Sequence, residues 1–178
     1  MFRKISAKVL ALPLVAMGML SLTQPAAAQS WQRISNASGG FTVQMPGSPR
    51  EYSKPTETRV GTCMMHTTLV EASGGREVFM ISYGDYPSAA NLRGAEEVIA
   101  AARDGQVNSV EGRLISDRAV SIDGRPGRSI VGTTKDNMLF ASRIFLDGHR
   151  LYQVIYVNQD GQMPQSATEF LNSFRITR

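Results

Sequence analysis

The feature that most constrains this chain is its punctuation. Ser38-Gly39-Gly40, Ser73-Gly74-Gly75, Asp123-Gly124 and Asp147-Gly148 each lie between alternating or β-branched apolar segments. Strands joined by connections this short must pair antiparallel, because a parallel return needs a crossover. The alternation predicts strands over Trp31 to Ile34, Phe41 to Met45, Thr56 to Glu71 and Val78 to Tyr83. It predicts four more over Leu114 to Ile122, Arg128 to Thr134, Met138 to Leu146 and Arg150 to Val157. Pro46-Gly47-Ser48-Pro49 ends the second strand, since proline cannot donate to a ladder.

Two segments break this rhythm. From Ser88 to about Val110 the β alternation is absent, and Leu92, Ala95, Val98, Ile99 and Ala102 fall at helical spacing. Pro87 and Ser88, or Asn91, supply the start, and Gly105 either ends the helix or weakens it. After Pro164, Ser166-Ala167-Thr168-Glu169 has the form of a capping box opening a helix over Ala167 to Ser173, with Phe170, Leu171 and Phe174 buried. Arg175 to Thr177 is then a last edge strand. The expected fold is α+β: a largely antiparallel sheet of about six or seven strands flanked by helices, because an apolar sheet face must be covered.

Residues 1–28 read as a cleaved signal peptide. Arg3, Lys4 and Lys8 precede an uncharged run from Val9 to Leu22, and Ala26-Ala27-Ala28 supplies small residues for cleavage before Gln29. That run is shorter than the roughly 20 residues that span a bilayer, and Pro13 interrupts it. The expected product is a single domain over 29–178, periplasmic or secreted, with no transmembrane segment after cleavage. The formal charge of +4 belongs mostly to the leader; without it sixteen basic groups face fifteen acidic ones. That balance gives no general attraction to nucleic acid.

A resemblance follows from several strings. Phe41-x-Val43-x-Met45-Pro46-Gly47-x-Pro49 opens the domain, and a long helix separates two β regions. Arg128-x-Ile130-x-Gly132 precedes Arg143-x-Phe145-Leu146-Asp147-Gly148-x-Arg150-Leu151-Tyr152-Gln153, and Phe170-Leu171-x-Ser173-Phe174 closes the pattern. Over about residues 41–176 the chain resembles the PsbP/Mog-like fold group of small exported proteins. The resemblance implies an α-β-α sandwich and a non-enzymatic accessory or protein-binding role. It carries over no functional residues, since no partner-binding motif is matched.

The chemistry-bearing residues are few. There is no Gly-x-Ser-x-Gly elbow, and the glycine turns lead from strand to strand, where a phosphate loop leads from strand to helix. Cys63 and His66 are three apart on a strand, hence on opposite faces, which disfavours a cysteine hydrolase. Glu96 and Glu97 are adjacent on a helix and do not face each other. A hydrolase with an unrecognised site is the enzymatic alternative, recognisable by a cleft where His66, His149 and an aspartate converge. Arg118, Arg125, Arg128, Arg143 and Arg150 crowd the last β region; they serve an anionic ligand or acidic partner, or nearby acids balance them. Cys63-Met64-Met65-His66 is the most unusual string. Met64 and His66 share one face, and with Met80 from the next strand they would make a soft donor set for Cu(I), the alternative cofactor. Ordinary core packing by methionine and cysteine is the competing account. For a partner, an unknown protein or envelope component, the candidate anchors are Trp31, Tyr52 and Tyr86, which lie outside the strongest strands.

Overall fold

A computed structural model of the protein describes residues 30–58, 61–86 and 94–178. The strands are β1 (Trp31–Asn36), β2 (Phe41–Pro46), β3 (Arg50–Thr58), β4 (Gly61–Ala72), β5 (Glu77–Asp85), β6 (Arg113–Ile122), β7 (Arg125–Thr133), β8 (Leu139–Asp147), β9 (Arg150–Asn158) and β10 (Arg175–Ile176). Two α-helices join them, α1 (Ala95–Ser109) and α2 (Gln165–Ser173). Seven strands form one sheet in the order β3-β4-β5-β9-β8-β7-β6, and β1-β2-β10 forms a small second sheet. Every pairing is antiparallel. The class is α+β, as expected.

Local signals set most of the boundaries. Asp123 and Gly124 both take positive φ, the conformation of a two-residue hairpin turn, and Ile122 pairs with Arg125 across it. Three expectations need correction. The long strand expected over Thr56 to Glu71 is two strands, paired from Arg50↔Leu69 to Thr58↔Gly61. The first of them, β3, begins before the expected strand and carries Pro55, which the sheet tolerates because β3 is an edge strand. The strand expected from Arg128 begins at Arg125. The capping box does not form: α2 starts at Gln165 with Pro164 as an uncapped N-cap, and Glu169 accepts from the Gln165 side chain instead. Of the two readings of Gly105, the second stands: α1 runs through it to Ser109. Pro87, Ser88, Asn91 and Leu92 lie outside the described residues.

The large sheet has two covered faces. One carries α2 and the small sheet, over a core of Phe41, Phe79, Tyr152, Tyr156, Phe170 and Phe174. The other carries α1, whose Val98 and Ile99 pack with Ile130, Phe140, Ile144 and Leu151. Helix α1 meets only β7 and β8 among the strands it touches substantially. The rest of that face, over β3, β4, β5 and β9, forms a groove beside it.

Gly105 sits on α1 at an exposed position where a Cβ would meet nothing within 4 Å. Gly105→Ala is expected to stabilise the protein by about 0.5–1 kcal/mol through helix propensity. Urea unfolding measures it, and a loss of stability would show that the position is not free.

Candidate functional site

The groove is built by the alternation of four strands. Met65 and Thr67 of β4, Met80 and Ser82 of β5, and Gln153, Ile155 and Val157 of β9 point to its floor. Tyr52, Lys54 and Thr56 of the edge strand form one wall; Gly105, Gln106, Ser109 and Val110 of the last turns of α1 form the other, with Phe140 and Met138 behind. The enclosed volume is about 530 Å³, within the range of ligand pockets. Gly84 lets the floor lie flat: a Cβ there would stand 2.6 Å from the Met65 sulfur and 2.7 Å from the Cys63 sulfur. Tyr86 closes one end, its amide bonded to the His149 carbonyl at 2.8 Å and its hydroxyl pKa pushed up chiefly by burial. The Gln106 Oε1 atom is buried at the α1 wall without a partner. Among the described residues Lys54 is the one charged residue of the lining, which holds no carboxylate, imidazole or thiol.

The expected anchors divide between the two faces. Tyr52, 46% exposed, and Tyr86 both line the groove. Trp31 does not: its ring meets Phe79 edge-on at 5.5 Å and covers the core of the opposite face.

The expected copper donors also divide. Met64 is 49% exposed, and His66 shares its face. His66 stacks on Tyr83 at 4.9 Å, and its Nδ1 lies 2.7 Å from the Ser53 hydroxyl. Met80 pairs with Leu69 and points into the groove with Met65, on the other side of the sheet. The three donors do not converge. Cys63 is buried, 3.8 Å from the Met65 sulfur and 3.3 Å from the Asp85 carbonyl; burial, then the Asp85 charge, pushes its thiol up.

No catalytic cluster forms from the histidines. His149 lies 3.7 Å from Asp85, but Arg150 occupies both Asp85 oxygens at 2.6 Å. Arg150 also donates to the carbonyls of Ser38 and Gly39 and lies over the Tyr83 ring. Two other aspartates are likewise taken by arginines. Asp117 accepts from Arg103 and Arg128 at 2.7 Å each; Asp147 accepts from Arg125 at 2.7 Å and Arg178 at 2.9 Å. Nearby acids therefore balance Arg125, Arg128 and Arg150, as the second reading of that cluster expected.

No family model matches the sequence, and no curated protein matches it significantly. A solved structure does: the solution structure of cyanobacterial PsbP (CyanoP) from Synechocystis sp. PCC 6803. The TM-score is 0.58 at 14% identity, over 89% of this chain and 99% of that one. The chain has a PsbP-like fold. At that identity the likeness concerns architecture alone. None of the described helices is long and apolar enough to cross a membrane.

The aspartate pairs set an acid limit. Hydrogen bonding from Arg128, against burial, holds the Asp117 carboxyl below its ordinary value; at Asp147 burial pushes upward, but Arg125 and Arg178 outweigh it. A carboxyl depressed in the folded state stabilises fully above its unfolded pKa, about 3.9, and loses that contribution as pH falls through the folded value. Denaturant stability is expected to be level in this respect down to about pH 5 and to fall below about pH 4. Asp117→Asn is expected to lower stability at neutral pH and flatten the acid fall. An unchanged acid profile in Asp117→Asn would remove that pair from the account.

Proposed function

We propose that this protein is an exported, non-enzymatic accessory domain of the cell envelope that binds a partner protein through the groove between α1 and β3. The observation that carries this reading is the groove lining: a floor in which Met65, Met80, Ile155 and Val157 alternate with the uncharged polar Thr67, Ser82 and Gln153, beside two tyrosines and, among the described residues, a single charge. Desolvated apolar pockets rimmed by tyrosine are where binding energy concentrates in protein interfaces. General acid–base chemistry needs a titratable group within hydrogen-bond reach of the reacting atoms, and among the described residues the lining supplies Lys54, Tyr52 and Tyr86. The PsbP-like fold and the leader over residues 1–28 support the placement outside the cytoplasm.

Export has a direct test. N-terminal sequencing of the protein from the periplasm or medium is expected to begin at or near Gln29, and an intact Met1 chain in the membrane fraction would contradict it. The groove is tested by pull-down from periplasm with wild type, Tyr52→Ala and Gly105→Leu. The second substitution fills the groove from an open helix position. Both variants are expected to fold cooperatively, Gly105→Leu with a Tm at or above that of wild type, and to lose the captured partner. Equal capture by all three proteins places the interface elsewhere.

A further inference from the structure

One group of arginines in this sheet has no carboxylate. Arg118 on β6 pairs in register with Ser129 on β7, and Ser129 pairs with Arg143 on β8, so the three form one transverse row. The row lies on the face covered by α2, because Arg143 donates to the Leu171 carbonyl at 3.1 Å and to the Asn172 side chain. Arg175, just beyond α2, donates to the carbonyls of Asn172 at 2.7 Å and Phe174 at 2.6 Å. Those acceptors are neutral. They close the end of α2 but leave three positive charges together.

Helix capping accounts for Arg143 and Arg175 and leaves Arg118 unexplained. Arg118 is exposed and donates to no group among the described residues. The Arg143 Nε atom is buried without a partner. Burial first, then the neighbouring charges of Arg118 and Arg175, lowers the Arg143 pKa; no acid offsets them. Elsewhere this protein matches two arginines to one carboxylate, at Asp117 and again at Asp147. Three arginines with no carboxylate call for an anion carrying more than one charge.

We propose that Arg118, Arg143 and Arg175 form a binding site for a phosphate monoester or free phosphate dianion. Guanidinium groups match phosphate oxygens through paired N–H donors, and charge-assisted bonds of this kind are the strong ones. Arg118 and Arg175 are the accessible arms, and Arg143 supplies fixed charge beneath them. The site lies across the sheet from the groove and does not depend on the reading given to it.

Two-dimensional NMR of the full mature chain, titrated with inorganic phosphate against sodium chloride of equal ionic strength, tests the proposal. Saturable shifts are expected at Arg118, Ser129, Arg143 and Asn172 with phosphate and not with chloride. Arg118→Ser and Arg175→Ser, both at exposed positions, are each expected to weaken binding at least about tenfold, the loss of one charge-assisted contact. Phosphatidylcholine vesicles with and without phosphatidic acid separate the sources. Retention only with phosphatidic acid, lost in the variants, assigns a lipid headgroup; phosphate binding without vesicle retention assigns free phosphate. No saturable phosphate response, an equal response to chloride, or unchanged binding in both variants overturns the site.

Discussion

The pairing of β5 with β9 is the seam on which the rest depends. It runs without interruption from Glu77↔Asn158 to Asp85↔Arg150 and joins the hairpin of the first half to the meander of the second. Its partners are far apart in sequence, so closing it carries the largest loop entropy in the seven-stranded sheet. Both ends are fastened. Arg150 grips Asp85 at one end, and at the other Tyr156 donates to Glu77 at 2.6 Å and accepts from Asn158 at 3.1 Å. Arg150 and Tyr152 also hold Gly39, which sets the small sheet over the seam.

Once that seam forms, the two faces of the sheet meet different fates. The aromatic face is large enough to need α2 and the β1-β2-β10 sheet together. The other face receives a single helix of fifteen residues, about 22 Å long by its rise per residue, and seven strands side by side span more than that. Packing of Val98 and Ile99 against Ile130 and Ile144 fixes α1 over β7 and β8. The groove is the uncovered remainder, and its mixed floor of apolar and uncharged polar side chains follows from the same alternation that builds the core.

The arginines follow a parallel logic. Those that reach an aspartate act as clasps between neighbouring elements, as Arg125 and Arg178 do in joining β7 and the C-terminus to Asp147. Those over α2 reach only carbonyls and an amide. An Arg-rich composition thus divides into a structural set and a set with unspent charge, and partner geometry alone separates the two.

Local chemistry was legible in the sequence: the alternation of β8 and β9, the Asp123-Gly124 turn, the apolar stripe of α1 and the antiparallel class all rest on residues within one turn or strand of each other. The start of β3 at Arg50 was not, because Pro55 reads as a strand breaker unless its strand is known to be an edge. The groove was half legible. Tyr52 and Tyr86 stood out as aromatics away from the strongest strands, Met65 stood out only as part of the Cys63-Met64-Met65-His66 string, and Gln106 and Ile155 carried no signal of their own. The face of Met80 depended on the Ala72↔Glu77 closure of one hairpin; a turn one residue shorter would place it beside His66. The sequence by itself determined most of the strands, both helices and the neighbour pairing of most hairpins, but not the β3-β4 hairpin. The tertiary structure alone decided which strands meet across the seam, which arginines find a carboxylate and where α1 stops covering the sheet, because each of those depends on contacts between residues far apart in the chain.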